Sequence, residues 1–193
     1  MQIKNFFKIK ILCLSVTVLF VAMGTIWWTL TKEKRIALYY KTNFTCDIGT
    51  EPRFYGWFED DFIEITLSFD FNRHITDKEL KPVENSQHLY SLGLTGTKIT
   101  DEGVKIIGSL SSLQILRLAD LQISDKGLQE LKSLSDLEDL GLSSTRITDK
   151  GLLSLYSLSS LREVRLKNTD ITLDGVKKLK KALPLCKVHS DFE

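Results

Sequence analysis

Cys46 and His88 are the pair with which this chain could perform covalent catalysis, a thiolate attacking while an imidazole holds its proton. No local signature of a cysteine hydrolase accompanies either residue, so a hydrolase using Cys46 and His88 stands as a distant alternative. His74, His88 and His189 are the only histidines, and none has a His or Cys partner at zinc-ligand spacing, so no metal is expected. Asp101, Asp125 and Asp149 recur like paired acid–base carboxylates or a calcium ladder, but they fall at helix starts, where capping accounts for them. Neither a GxGxxG nor a P-loop pattern occurs, and no cofactor is expected. Cys46 and Cys186 should not pair: the elements between them place them about 25 Å apart by strand spacing, against the about 7 Å between Cα atoms that a disulfide allows.

Composition bounds the scaffold that would position such groups. A chain of 193 residues suits one globular domain with an appendage. With 26 Lys and Arg against 25 Asp and Glu, the net charge of +1 produces no field for a polyanion, and no nucleic-acid partner is expected. A hydrophobic fraction of 42% excludes a wholly disordered chain, and three Cys exclude a disulfide-built miniprotein.

Residues 11–30 carry no charge and, at about 1.5 Å per residue, extend about 30 Å, the thickness of a bilayer's hydrocarbon core. Lys4, Lys8 and Lys10 precede the run, Trp27 and Trp28 close it, and Lys32, Lys34 and Arg35 follow as interfacial anchors. Residues 1–31 are therefore expected to be a single-pass membrane anchor, with the short N-terminal tail in the cytoplasm and the C-terminal domain outside it. Ala22 and Gly24 are spaced as a signal-peptidase site requires, so a cleaved signal peptide and a secreted product form the alternative. The apolar run exceeds the usual signal core of about 7 to 15 residues, which favours the anchor.

The other half of the chain is periodic. Ile75, Ile99, Ile123, Ile147 and Ile171 recur every 24 residues, opening the segments ITDKEL, ITDEGV, ISDKGL, ITDKGL and ITLDGV. Between them run Leu89-x-x-Leu92-x-Leu94-x-x-Thr97 and its equivalents from Leu113, Leu137 and Leu161. Leu116 and Leu118 share one face of a short strand, whereas Leu128, Leu131 and Leu134 have the spacing of a helical stripe, repeated by Val104, Ile107, Leu110 and by Leu152, Leu155, Leu158. Each repeat is then a strand, a bend and a short helix, with Thr100, Ser124 and Thr148 as N-caps. Gly103, Gly127 and Gly151 weaken the helices, and close approach of neighbouring coils is their expected reason. A single coil buries too few side chains to offset the ordering of its backbone, so the coils must stack, their strands forming a parallel sheet on the inner face.

These segments resemble the leucine-rich repeat family, in the variant with Thr in place of the usual Asn and an ITDxGL helix start. The resemblance extends over about 75–188 and implies an α/β right-handed solenoid with parallel strands inside and short helices outside. It also implies a protein-binding scaffold rather than an enzyme. Similar repeats occur in exported bacterial proteins and in F-box leucine-rich proteins, but residues 32–72 show no F-box helix bundle. The expected organisation is an anchor over 1–31, a linker and N-terminal cap strand over 32–72, and the solenoid with its C-terminal cap over 73–193.

Departures from the repeat carry their own expectations. Leu121 replaces the Thr of positions 97, 145 and 169, interrupting a polar ladder. Pro82 should shorten or distort the first helix, which Thr76 and Glu79 could open as a capping box. Leu185 and Val188 should enter a last strand. Ile63, Ile65, Leu67, Phe69 and Phe71 alternate, predicting a strand at the N-terminal edge, with Leu67-x-Phe69-x-x-Asn72 a degenerate repeat shifted by one residue. The aromatic Arg53–Phe58 stretch is expected to cap the core, with a ligand-binding aromatic patch as the alternative.

Outward positions of the inner strands are the candidate partner-binding face: Tyr90, Gln114, Ile115, Arg117, Glu138, Asp139, Arg162, Glu163, Arg165 and Lys167. Their mixed charges suit a patterned contact with an unidentified protein partner, or a solvated sheet with cross-strand ion pairs. Tyr90 alone has the character of an aromatic anchor.

Overall fold

The computed structural model describes residues 53–56, 65–87 and 89–192. The expected span at 11–30, Cys46 and His88 lie outside the described residues. Among those described, no helix is long and apolar enough to cross a membrane.

One sheet contains the strands in chain order: β1 (Arg53–Gly56), β2 (Ile65–Ser68), β3 (Leu89–Gly93), β4 (Ile115–Arg117), β5 (Asp139–Gly141), β6 (Glu163–Arg165) and β7 (Lys187–His189). Strands β2 to β7 run parallel, and β1 lies antiparallel on β2. Register follows the sequence period: Leu92, Leu116, Leu140, Val164 and Val188 are successive partners. The one-residue shift read at Leu67 and Phe69 becomes a bulge, because Ile65 pairs with Leu89 but Thr66 pairs with Ser91. Strand β2 is therefore a degenerate repeat inside the sheet, and β1, not β2, forms its N-terminal edge.

Opposite the strands lie α1 (Asp101–Ile107), α2 (Asp125–Gln129), α3 (Asp149–Leu152) and α4 (Leu173–Ala182). Helices α2 and α3 tighten into 3-10 turns at Glu130–Ser133 and Leu153–Ser157. The first connection is 3-10 throughout, Asp77–Val83, and Pro82 within it has no N–H to offer an α-helical ladder. There Glu79 accepts from the Thr76 N–H at 2.8 Å and from its hydroxyl at 2.6 Å. Burial works against the Glu79 charge, yet the Thr76 hydrogen bonds hold its carboxyl below the ordinary range. In later coils Thr100, Ser124, Thr148 and Thr172 cap as the sequence requires, each hydroxyl accepting from a first-turn N–H at 3.2–3.3 Å.

The recurring isoleucines and both leucine stripes form one continuous interior. Ile75, Ile123 and Ile147 have no exposed area, and Ile99 and Ile171 are also buried. After each inner strand the chain turns through a left-handed residue: Gly96, Asp120, Ser144 and Asn168 have φ of 67, 57, 58 and 55°. The hydroxyls of Thr97, Thr145 and Thr169 then donate back to the carbonyls of Leu94, Leu142 and Leu166 at 2.7, 2.6 and 2.7 Å. Leu121 breaks that column and is buried as an apolar plug instead.

Two sequence expectations fail at the ends. Phe71 is 67% exposed rather than part of the inward stripe. Strand β2 ends at Ser68, and Phe71 takes a left-handed turn position (φ 64°). Leu185 is 76% exposed, while Cys186 and Val188 turn inward. Helix α4 stays α-helical for 10 residues where α2 and α3 tighten. The smaller rise and rotation per residue return the chain to the sheet in a different phase.

The role expected for the aspartates is also corrected. Asp77, Asp101, Asp125 and Asp149 do stand in first turns, but each carboxylate reaches into the next coil. There it accepts from the N-cap N–H at 2.8–2.9 Å and the N-cap hydroxyl at 2.6–2.7 Å of Thr100, Ser124, Thr148 and Thr172 respectively. Two hydrogen bonds to a charged acceptor are a stronger tie than an interaction with the helix dipole.

Candidate functional site

The inner face is set by the strand register, which aligns outward side chains from successive coils in rows, neighbours within a row about 4.8 Å apart. One row runs Ser91, Ile115, Asp139, Glu163 and Lys187; the next runs Gly93, Arg117, Gly141, Arg165 and His189. Gln114, Glu138 and Arg162 precede their strands, and their carbonyls carry the ladder onward, accepting from Glu138, Arg162 and Lys187 N–H groups at 2.8, 2.8 and 2.7 Å. Their backbones are structural even where their side chains face solvent.

In the C-terminal half of this face Asp139, Glu163, Arg165 and His189 contact one another, while Glu138, Arg162, Lys167 and Lys187 stay exposed. Arg165 lies directly across from Gly141 and leans diagonally to Asp139, making contacts of 2.6 and 3.4 Å with its two oxygens. It also meets Glu163 at 2.8 Å, and His189 Nε2 lies 3.2 Å from the same Glu163 oxygen. The cross-strand partner of Arg165, Gly141, has no side chain, and a Cβ there would meet the stem of Arg117. Hydrogen bonding to Asp139 raises Arg165 above its usual range. With Arg165 37% exposed, the pair is worth about 1 kcal/mol at most.

The N-terminal half is unlike it. Arg117 is exposed and has no acidic partner among the described residues, and its row neighbours on both sides are Gly93 and Gly141. Tyr90, Gln114 and Ile115, on the same half of the face, are partly buried. The cap supplies Asp70, whose carboxylate accepts from the Thr95 N–H at 2.7 Å and the Ser68 hydroxyl at 2.8 Å. A side chain at Gly93 would collide with that carboxylate. Asp191 mirrors this at the far end, accepting from the Asn168 N–H at 2.7 Å where inner coils use a backbone carbonyl.

Of the ten candidates, the structure joins Asp139, Glu163 and Arg165 in one ion cluster. It leaves Arg117, Glu138, Arg162 and Lys167 exposed and Tyr90, Gln114 and Ile115 partly so. Sequence reading missed Asp70, Asp191 and His189. Asp70 and Asp191 fall outside the regular repeats, and their only signal was an acidic residue beside each end of the period. Among the described residues no group of three or more His, Cys, Asp or Glu could hold a metal ion. Cys186 is buried, and burial together with the Glu163 charge pushes its thiol up to about 11, so it is no nucleophile.

Segments 85–108, 133–155 and 157–180 match the Leucine Rich repeat family model. Together with the parallel strands and short helices above, these matches describe an α/β solenoid of leucine-rich repeat type. No curated protein matches the chain. Among solved structures, an internalin from Listeria monocytogenes is similar at 30% identity, over 56% of this chain and 32% of that one, with a TM-score of 0.45. A leucine-rich repeat protein of Leptospira interrogans is similar at 24% identity, over 55% of this chain and 26% of that one, TM-score 0.44. Internalin C2 of L. monocytogenes follows at 18% identity, over 64% and 80%, TM-score 0.39. The chain thus spans about a third and about a quarter of the first two relatives. The repeat geometry, rather than these likenesses, carries the fold.

Proposed function

We propose that this protein is a protein-interaction scaffold whose docking surface is the N-terminal half of the inner face, centred on Arg117 with Tyr90, Gln114 and Ile115. One observation carries this reading. Asp139, Glu163 and Arg165 are spent on each other, whereas Arg117 makes no ion pair among the described residues and its cross-strand partners are Gly93 and Gly141. Tyr and Arg are the side chains most often decisive in protein interfaces, and a cation without an ion pair favours a partner bringing a carboxylate. Glu138, Arg162 and Lys167 supply a polar rim. Photo-crosslinking from position 115 in the full chain should capture one discrete protein, and Arg117→Glu should abolish its capture. A diffuse pattern insensitive to Arg117 would defeat the reading.

The scaffold is proposed to be held at a membrane by residues 11–30, outside the cytoplasm. The uncharged length and its flanking Trp and Lys residues support this. Alkaline extraction should leave the full chain in the membrane pellet. A mature product beginning after Gly24 and recovered in solution would establish the secreted alternative instead.

A further inference from the structure

The helices of the middle coils carry mixed charge: Asp101, Glu102 and Lys105 in α1, Asp125 and Lys126 in α2, Asp149 and Lys150 in α3. Helix α4 does not. It buries Gly175, Val176 and Leu179 and sends Lys177, Lys178, Lys180 and Lys181 to solvent. Lys178 is engaged by Asp174 at 2.6 Å, one turn away. Lys177, Lys180 and Lys181, with exposed Lys187 on β7, have no acidic partner among the described residues. Leu173 stands in the place that ladder aspartates occupy in earlier coils and is 45% exposed. It lies four and seven residues before Lys177 and Lys180, on the same helical stripe. Leu185, 76% exposed, occupies the turn that leaves the helix, and Phe192, 45% exposed, follows β7.

We propose that this C-terminal end of the solenoid docks on an anionic lipid bilayer. The lysines meet headgroup phosphates, while Leu173 and Leu185 sink into the headgroup boundary. Charge complementarity selects an anionic occupant, and exposed leucines flanking the helix lysines select a bilayer over a nucleic acid, which would offer them no apolar medium. This contact shares only Lys187 with the rows of the inner face and does not depend on the span expected at residues 11–30.

The test uses the full chain with an environment-sensitive fluorophore on Pro184→Cys, its native cysteines replaced by serine, reconstituted with vesicles of phosphatidylcholine alone or of phosphatidylcholine mixed with phosphatidylglycerol. A blue shift confined to the anionic vesicles is expected. Its midpoint in phosphatidylglycerol content should rise as Lys177, Lys180, Lys181 and Lys187 are changed to Gln, with affinity falling roughly fivefold per lysine. Leu173→Ser with Leu185→Ser should abolish the shift while circular dichroism stays unchanged, since both side chains are exposed. No shift with either vesicle, or an equal shift with both, overturns the proposal. So does the same shift produced in solution by a single-stranded oligonucleotide or by polyglutamate, which would assign the surface to another polyanion.

Discussion

Asp125 ties its coil to the next by accepting two hydrogen bonds from Thr148, 2.8 Å from the N–H and 2.6 Å from the hydroxyl. Gly151 exists because of that arrangement. A Cβ there would fall on Asp125 Oδ1, and the same relation recurs between Gly103 and Asp77, Gly127 and Asp101, and Gly175 and Asp149.

Gly151→Ala should therefore destabilise the solenoid by about 1–3 kcal/mol, although alanine in a helix is ordinarily favoured over glycine by about 1 kcal/mol. Asp125→Ala should cost about 2 kcal/mol through its lost charged hydrogen bonds. Combined, the two changes should cost less than their sum by about 1 kcal/mol or more, because removing the carboxylate makes room for the methyl group. Urea denaturation of the four proteins measures this, and strict additivity would separate the glycine from the aspartate.

Leu121→Thr restores the residue type found at 97, 145 and 169 and allows a bond back to the Leu118 carbonyl. Leu121 is nevertheless buried, and the cavity left in a core packed around leucine should outweigh a hydrogen bond of about 1 kcal/mol. The consensus-like change is expected to lower the melting temperature. A rise would show that the coil can close over the smaller side chain.

Cys186 should resist thiol reagents at pH 8 in the folded protein and react readily in urea, as peptide-resolved mass spectrometry would show. Burial, then the Glu163 charge, raises its thiol from 9.0 to about 11 in the fold. The neutral thiol's contribution to stability is thus complete below the unfolded value of about 9 and is lost as pH rises through about 11. Equal reactivity in both states would contradict the buried placement.

Arg165→Ala leaves Asp139 and Glu163, direct partners across β5 and β6, as uncompensated like charges. It should destabilise by about 1 kcal/mol, a deficit that salt reduces by screening. Arg117→Glu, with no partner to lose, should change stability by less than about 0.5 kcal/mol while ending partner capture. Thermal melts of both variants at low and high salt distinguish the two arginines.

The periodic half of the chain was legible because identical coils impose identical burial. Isoleucines and leucines at constant spacing reported one interior, and hydroxyl residues before each helix reported its cap. The separate weights of Arg165 and Arg117 were not legible, because they depend on which neighbours across the strands are glycine and which are acidic. Asp70 and Asp191 were missed because each completes an end of the stack where the repeat pattern lapses.

The sequence by itself determined the period, the strand and helix faces, and the positions at which Pro82 and Leu121 interrupt them. Only the tertiary structure decided whether an aspartate following a threonine serves its own helix or the next one. In a periodic chain every coil presents the same residue at the same place, so contacts within a coil and contacts between coils leave the same trace in sequence. The distance between stacked coils resolves the two, and it places Asp125 against Thr148 and over Gly151.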